Sequence, residues 1–189
     1  MNKIVVIFES KYGSTRHYAT WIAEALSCPL FEKRKFHQQD LAAYDTLIYG
    51  GGLYAGGVSG IDLITKNWPI IREKNVVLFT CGLADPSEPE NVRHIRDSLS
   101  KALSPEILEK IHLFHLRGGI DYSRLNFIHK AMMSMLRKML LKKDPESLKN
   151  EDKQLLETYG KCNDFTRRET ITPLVDYVLS LQTCETLGN

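Results

Sequence analysis

Short apolar runs recur along the first half of the chain and alternate with stretches of helical periodicity. Ile4-Val5-Val6-Ile7-Phe8, Thr46-Leu47-Ile48-Tyr49 and Val76-Val77-Leu78-Phe79 are almost wholly apolar, as strands covered on both faces require. Residues 29–36 are strand-like but heavily charged and residues 111–116 are mixed, so both are expected near sheet edges. Between the strands, Tyr18, Ala19, Ile22, Ala23 and Leu26 share one helical face. Residues 61–68 read as a helix that Pro69 interrupts, and residues 90–103 set Val92, Ile95, Leu99 and Leu103 on one face. A closing helix is expected near residues 172–182. This rhythm predicts an α/β protein with an open, doubly wound parallel sheet, whose ligands bind outside the carboxyl ends of the strands.

Three loops occupy that edge. In the first, the apolar run at residues 4–8 leads through Glu9 into Ser10-Lys11-Tyr12-Gly13-Ser14-Thr15 and then into a helix. A turn of this kind gathers unpaired N–H groups and the positive end of a helix dipole, and the hydroxyls of Ser10, Ser14 and Thr15 add donors. It is a seat for an anion. No lysine of the Walker type follows Gly13, so a phosphate monoester fits better than a nucleoside triphosphate. The bland reading is a plain strand-to-helix turn capped by Ser14 or Thr15. The second loop, Gly50 to Gly60, holds six of the twelve glycines, so its backbone is expected to come close to a flat ligand and to change peptide orientation cheaply. Its one aromatic, Tyr54, is available to stack on a ring. The third, Thr80 to Asp85, places Gly82 just after a buried strand.

With these residues in place, the sequence resembles the flavodoxins. Ser10 to Thr15 resembles their phosphate loop, Gly51 to Gly57 their first ring-contacting loop, and Cys81 to Asp85 their second. The resemblance spans about residues 1–120 and the closing helix. It implies a five-stranded sheet in the order 2-1-3-4-5 and noncovalently bound FMN. The residues it assigns to the cofactor are Ser10, Lys11, Tyr12, Gly13, Ser14, Thr15, Gly51, Gly52, Leu53, Tyr54, Ala55, Gly56, Cys81, Gly82, Leu83 and Asp85. Two features depart from the pattern. Tyr12 stands where those proteins carry a second hydroxyl residue, and the chain lacks their strong acidity.

Charge and composition narrow the picture. With 189 residues, 43% of them hydrophobic, the chain suits one well-filled core, and one domain over 1–189 is expected. Lys plus Arg number 25 against 23 for Asp plus Glu, a formal charge of +2 that gives no argument for a nucleic-acid partner. Cys28, Cys81, Cys162 and Cys184 have no metal-ligand spacing and read as reduced thiols, so no metal site is expected. The N-terminal apolar run is too short for a signal peptide, and no stretch of 18 apolar residues occurs, so a cytoplasmic protein is expected. A phospho-receiver domain would need an acidic cluster at the strand ends. Those ends read Glu9-Ser10, Gly50-Gly51 and Thr80-Cys81.

Residues 117–171 are far more than a loop requires. Within them, 124–143 form an amphipathic basic helix, with Leu125, Ile128, Met132, Met135, Leu136 and Met139 at helical spacing, and no acidic residue. Three readings stay open for the stripe: packing on the parent domain, peripheral membrane contact, or the face of a homodimer. With this segment the chain is similar to the quinone-dependent protoporphyrinogen oxidases of flavodoxin type. The matching features are Gly118-Gly119, Tyr122, the basic Met-rich helix, and Asp164 with Arg167-Arg168. The expected function is an FMN-dependent oxidoreductase passing electrons between an organic substrate and a quinone or other redox acceptor. The alternative is an electron carrier with no substrate of its own.

Overall fold

The structure, a computed structural model, describes residues 2–54 and 56–186, the side chains of 151 and 183–186 excepted. Strands β1 (Ile4–Glu9), β2 (Leu30–Glu32), β3 (Thr46–Tyr54), β5 (Asn75–Gly82) and β6 (His112–Arg117) form a parallel sheet in the order β2-β1-β3-β5-β6. The two-residue strand β4 (Gly57–Val58) folds back antiparallel on β3. Counting the five parallel strands alone, this is the expected order.

Alternate residues of the three central strands feed two cores, as the period-2 geometry of a strand dictates. On one face Val5, Ile7, Leu47, Tyr49, Val76 and Leu78 pack with residues of α2 (Asp62–Ile71), α3 (Pro89–Ala102) and α4 (Pro105–Lys110). On the other, Val6, Phe8, Ile48, Val77 and Phe79 meet α1 (Ser14–Leu26) and α7 (Thr172–Thr186). Two buried faces explain why these strands lack a polar alternation.

Several expectations are corrected. Pro69 does not end α2, which runs on to Ile71. The ring costs the helix an N–H and crowds the preceding turn, about 3 kcal/mol in a helix interior, but Trp68 and Ile71 on the last turn are buried and offset it. The edge segment 29–36 is a strand only over 30–32 and then tightens into a 3-10 turn. Gly50, Gly51 and Gly52 belong to β3 and are buried. A Cβ on Gly50 would lie 2.1 Å from the Phe79 ring, and one on Gly51 2.3 Å from Val58, so close packing rather than mobility requires glycine there.

The inserted segment is tied at its base by a two-stranded antiparallel ribbon, β7 (Gly119–Asp121) with β8 (Cys162–Asp164). Inside it stand α5 (Phe127–Leu140) and α6 (Asn150–Thr158). The basic helix is shorter than 124–143 because Asn126 caps it, its side chain accepting from the His129 N–H at 2.8 Å. The apolar residues of the segment divide: Leu125, just before the helix, and Leu140 are buried, whereas Ile128, Met132, Met135 and Met139 are exposed. Packing on the parent domain therefore accounts for only part of the stripe.

One buried group gives the fold a pH dependence. His115 of β6 lies opposite Thr80 of β5, with Nδ1 and the Thr80 hydroxyl 2.8 Å apart, while its buried Nε2 has no partner among the described residues. Burial, helped by Arg96, pushes its pKa from 6.5 down to about 4. The unfolded chain thus binds the proton more readily. Stability from this group is full above about pH 6.5 and falls as the pH drops towards about 4. Denaturant titrations across that range should show the loss in the natural chain and a smaller one in His115→Asn.

Candidate functional site

The three loops meet at the carboxyl ends of β1, β3 and β5, as a doubly wound sheet requires. Helix α1 begins abruptly. Gly13 precedes it at φ 111°, a conformation that side chains rarely adopt, and the His17 N–H is the first to find a helical acceptor, the Gly13 carbonyl at 3.0 Å. Among the described residues nothing accepts from the N–H groups of Ser14, Thr15 or Arg16, no side chain caps the helix, and its first turn carries no carboxylate. Such an end favours an anion both by its donors and by its dipole.

The hydroxyls are held but not exhausted. Ser10 Oγ accepts from the Gly13 N–H at 3.1 Å, and Ser14 Oγ accepts from the Gly119 N–H at 3.1 Å. Each keeps its own proton for donation. Thr15 is buried and supports the Cys81 thiol. Burial pushes that thiol up to about 12, so Cys81 stays protonated and adds no charge to the site.

Tyr54 leans back over Gly52, where a Cβ would lie 2.6 Å from its ring. Its ring meets Tyr12 edge-on, with centroids 5.7 Å apart, and stacks on His129 at 5.7 Å. Its hydroxyl accepts from the Lys11 N–H at 3.4 Å, and burial raises its pKa. In the third loop Asp85 braces the turn: Ser87 bonds its carboxylate through the backbone N–H at 3.0 Å and the hydroxyl at 2.7 Å, and Arg117 pairs with it at 2.6 Å. These partners hold the Asp85 carboxyl below its usual range, the Ser87 bonds first.

A cleft of about 170 Å³, partly open to solvent, lies between these loops and the inserted segment. Of the residues expected from sequence, Tyr12, Ser14, Thr15, Leu53, Tyr54, Cys81, Gly82 and Leu83 line it. Ser10, Lys11, Gly13, Gly51, Gly52, Gly56 and Asp85 belong to the same loops but are not among the lining residues. Ala55 lies outside the described residues. Gly118, Gly119, Ile120, Leu125, His129, Met132 and Met133, which the resemblance did not assign to the cofactor, also line the cleft. For Met132, Met133 and Leu125 the amphipathic pattern was the available signal. His129 gave none.

The donor set fits a flavin mononucleotide: a helix terminus with unclaimed N–H groups and two free hydroxyl protons for a phosphate, and, for a ring, a neighbouring cleft with Leu53, Tyr54, Gly82 and Leu83 in its lining. An open parallel α/β sheet with an anion seat at β1 and an apolar slot beside it defines a nucleotide-cofactor protein of the doubly wound class. The chain belongs to the flavodoxin domain family, whose model matches residues 5–147, and FMN is its cofactor. It is a redox flavoprotein.

Among solved structures, the chain is similar to a WrbA-like flavodoxin from Agrobacterium tumefaciens. The two share 20% identity over 59% of this chain and 76% of that one, with a TM-score of 0.43. Oxidised flavodoxin 2 from Bacillus cereus shares 22% identity over 61% and 85%, with a TM-score of 0.41. A flavoprotein in complex with FMN from Lactobacillus acidophilus shares 12% over 62% and 93%, with a TM-score of 0.43. Comparison with curated proteins returns no match.

Replacing Gly13 by valine, or Ser10 and Ser14 together by alanine, should weaken FMN by about 2 to 4 kcal/mol, since hydrogen bonds to a charged group contribute roughly 1.5 to 3 each. Riboflavin, which lacks the phosphate, should bind more weakly than FMN and be much less affected. Equal losses for the two ligands in fluorescence titrations would place the phosphate elsewhere.

Proposed function

We propose that the protein is an FMN-dependent oxidoreductase that passes electrons between an organic substrate and a quinone-like acceptor, as the quinone-dependent protoporphyrinogen oxidases of flavodoxin type do. The observation that carries this reading is the roof of the cleft. Leu125, Met132 and Met133 of the inserted segment join Leu53, Leu83 and Ile120 in a largely apolar wall. Such a wall suits a flat apolar molecule better than the docking surface of a second protein. The methionines add an adaptable lining for substrates of varied shape.

Bound FMN supplies reversible uptake of electrons and protons. The chain's own residues bind and enclose. The α1 terminus and the hydroxyls of Ser10 and Ser14 hold the phosphate. Leu53, Tyr54 and Leu83 give the ring an apolar slot, and Met132 and Met133 restrict water at its outer side. The protonated Cys81 keeps that floor uncharged. With a net charge of +2, the surface does not repel anionic substrates as a strongly acidic carrier would.

The quinone reading also accounts for the outer face of α5. Phe127, Ile128, Met135, Met139 and Leu141 are exposed beside Lys138 and Lys142, and α5 carries no acidic residue. Among the described residues no helix is long and apolar enough to cross a membrane, so contact with a bilayer would be peripheral. A second copy of the chain is the other occupant this face suits.

Stopped-flow reoxidation of the reduced holoprotein tests the reading. Turnover with an apolar quinone is expected, and replacing Met132 and Met133 by glutamine should slow it more than reaction with dissolved oxygen. A protein that reacts with no quinone but reduces a redox protein would be a carrier. Separately, Met135→Glu with Met139→Glu should abolish cosedimentation with anionic vesicles while leaving FMN binding intact.

A further inference from the structure

We propose that His129 fastens the inserted helix α5 over the flavin cleft. The inference deepens the reading above, in which the insertion decides what reaches the ring. Leu140 of α5 is buried, but the helix has few polar ties to the parent fold. Among the described residues, His129 makes every hydrogen bond that joins 127–140 to the parent sheet and its loops. The outward side of the same helix leaves Phe127, Ile128, Met135 and Met139 in solvent.

His129 meets two of the three flavin loops at once. Its Nδ1 lies 2.6 Å from the Tyr12 hydroxyl, its Nε2 lies 3.5 Å from Lys11 Nζ, and its ring stacks on Tyr54 with planes 26° apart. Tyr12 also takes the Asn126 N–H, at 3.5 Å, so the first turn of α5 is seated on one phenol oxygen.

The charges fix the tautomer. A lysine ammonium only donates, so Nε2 must be the acceptor and Nδ1 must carry the proton and donate to Tyr12. Protonation would remove the acceptor that Lys11 uses and set two cations side by side. Burial, and then Lys11, lower the His129 pKa, which keeps the ring neutral at pH 7. Lys11 and Tyr12 from the phosphate loop and Tyr54 from β3 are the titratable groups that face it. The clasp therefore holds at neutral pH and loosens as the pH falls.

The consequence reaches the phosphate seat. Tyr12 sits one residue before Gly13, so the group that closes the roof is borne by the loop that receives the cofactor. FMN bound on that loop and a closed α5 should favour each other, and release of one should accompany opening of the other.

Amide hydrogen exchange and FMN release on the full holoprotein test this. At pH 7.5, His129→Ala should raise exchange across 127–140 and speed FMN release, each by about tenfold, while exchange in the β3 and β5 amides stays unchanged. His129→Asn keeps an N–H donor towards Tyr12 without a titratable ring. It should restore most of the protection and abolish the rise in FMN release expected of the natural protein between pH 7.5 and 5.5. Unchanged exchange at 127–140 in His129→Ala would overturn the proposal, as would an equal pH response in His129→Asn. If the helix loosens and FMN leaves faster but the preference among quinones and oxygen is unaltered, the clasp stands and the proposed control of acceptor access falls.

Discussion

Three backbone N–H groups at the start of α1 find no acceptor in the described chain, and the site is arranged around that deficit. A helix end buried against a sheet must satisfy its first-turn donors, and here no carboxylate or capping side chain does so. Water or an anion is left as the partner, and the helix dipole favours the anion. The sheet dictates where it sits. Because β1, β3 and β5 are covered on both faces, chemistry is confined to their carboxyl edge, and β1 delivers its helix there directly. The positive φ of Gly13 makes the sharp turn between them.

A second constraint is steric. Gly50 gives way to the Phe79 ring, Gly51 to Val58 and Gly52 to Tyr54, so β3 stays flush with its neighbours to the rim of the cleft. The slot for a ring is thus walled by strand backbone and by Leu53, Gly82 and Leu83. Its stiffness limits what the parent fold can contribute to selecting a reaction partner. Variety has to come from the side that the insertion covers.

The parallel strands and the sharp turn from β1 into α1 were legible because they rest on local patterns: apolar runs of four or five residues, a strand meeting a hydroxyl-rich turn, and helices with one apolar face; the strand order came from the resemblance to the flavodoxins. Pro69 misled because propensity was outweighed by burial of Trp68 and Ile71. The glycines of β3 read as a loop approaching a flat ligand because composition does not reveal which bulky group, Phe79 or Tyr54, will lie across them. His129 was invisible for a related reason. It acts on Tyr12, more than a hundred residues earlier, and only the fold brings them within 2.6 Å. Nor could the periodicity of α5 say which methionines face inwards, since both sides of the helix are rich in apolar residues.

The ribbon of β7 and β8 carries one more consequence. Gly119 pairs with Asp164 and Asp121 with Cys162, so the chain leaves the parent fold and returns to it at adjacent points. Closing a loop costs free energy that grows only with the logarithm of its length, and here the ribbon closes it independently of what lies between. Residues 122–161 are therefore a graft on a stem: they can lengthen, shorten or be exchanged without asking β6 or α7 to move. Diversity of partners can then accumulate in the graft wherever its contact with Tyr12 is kept.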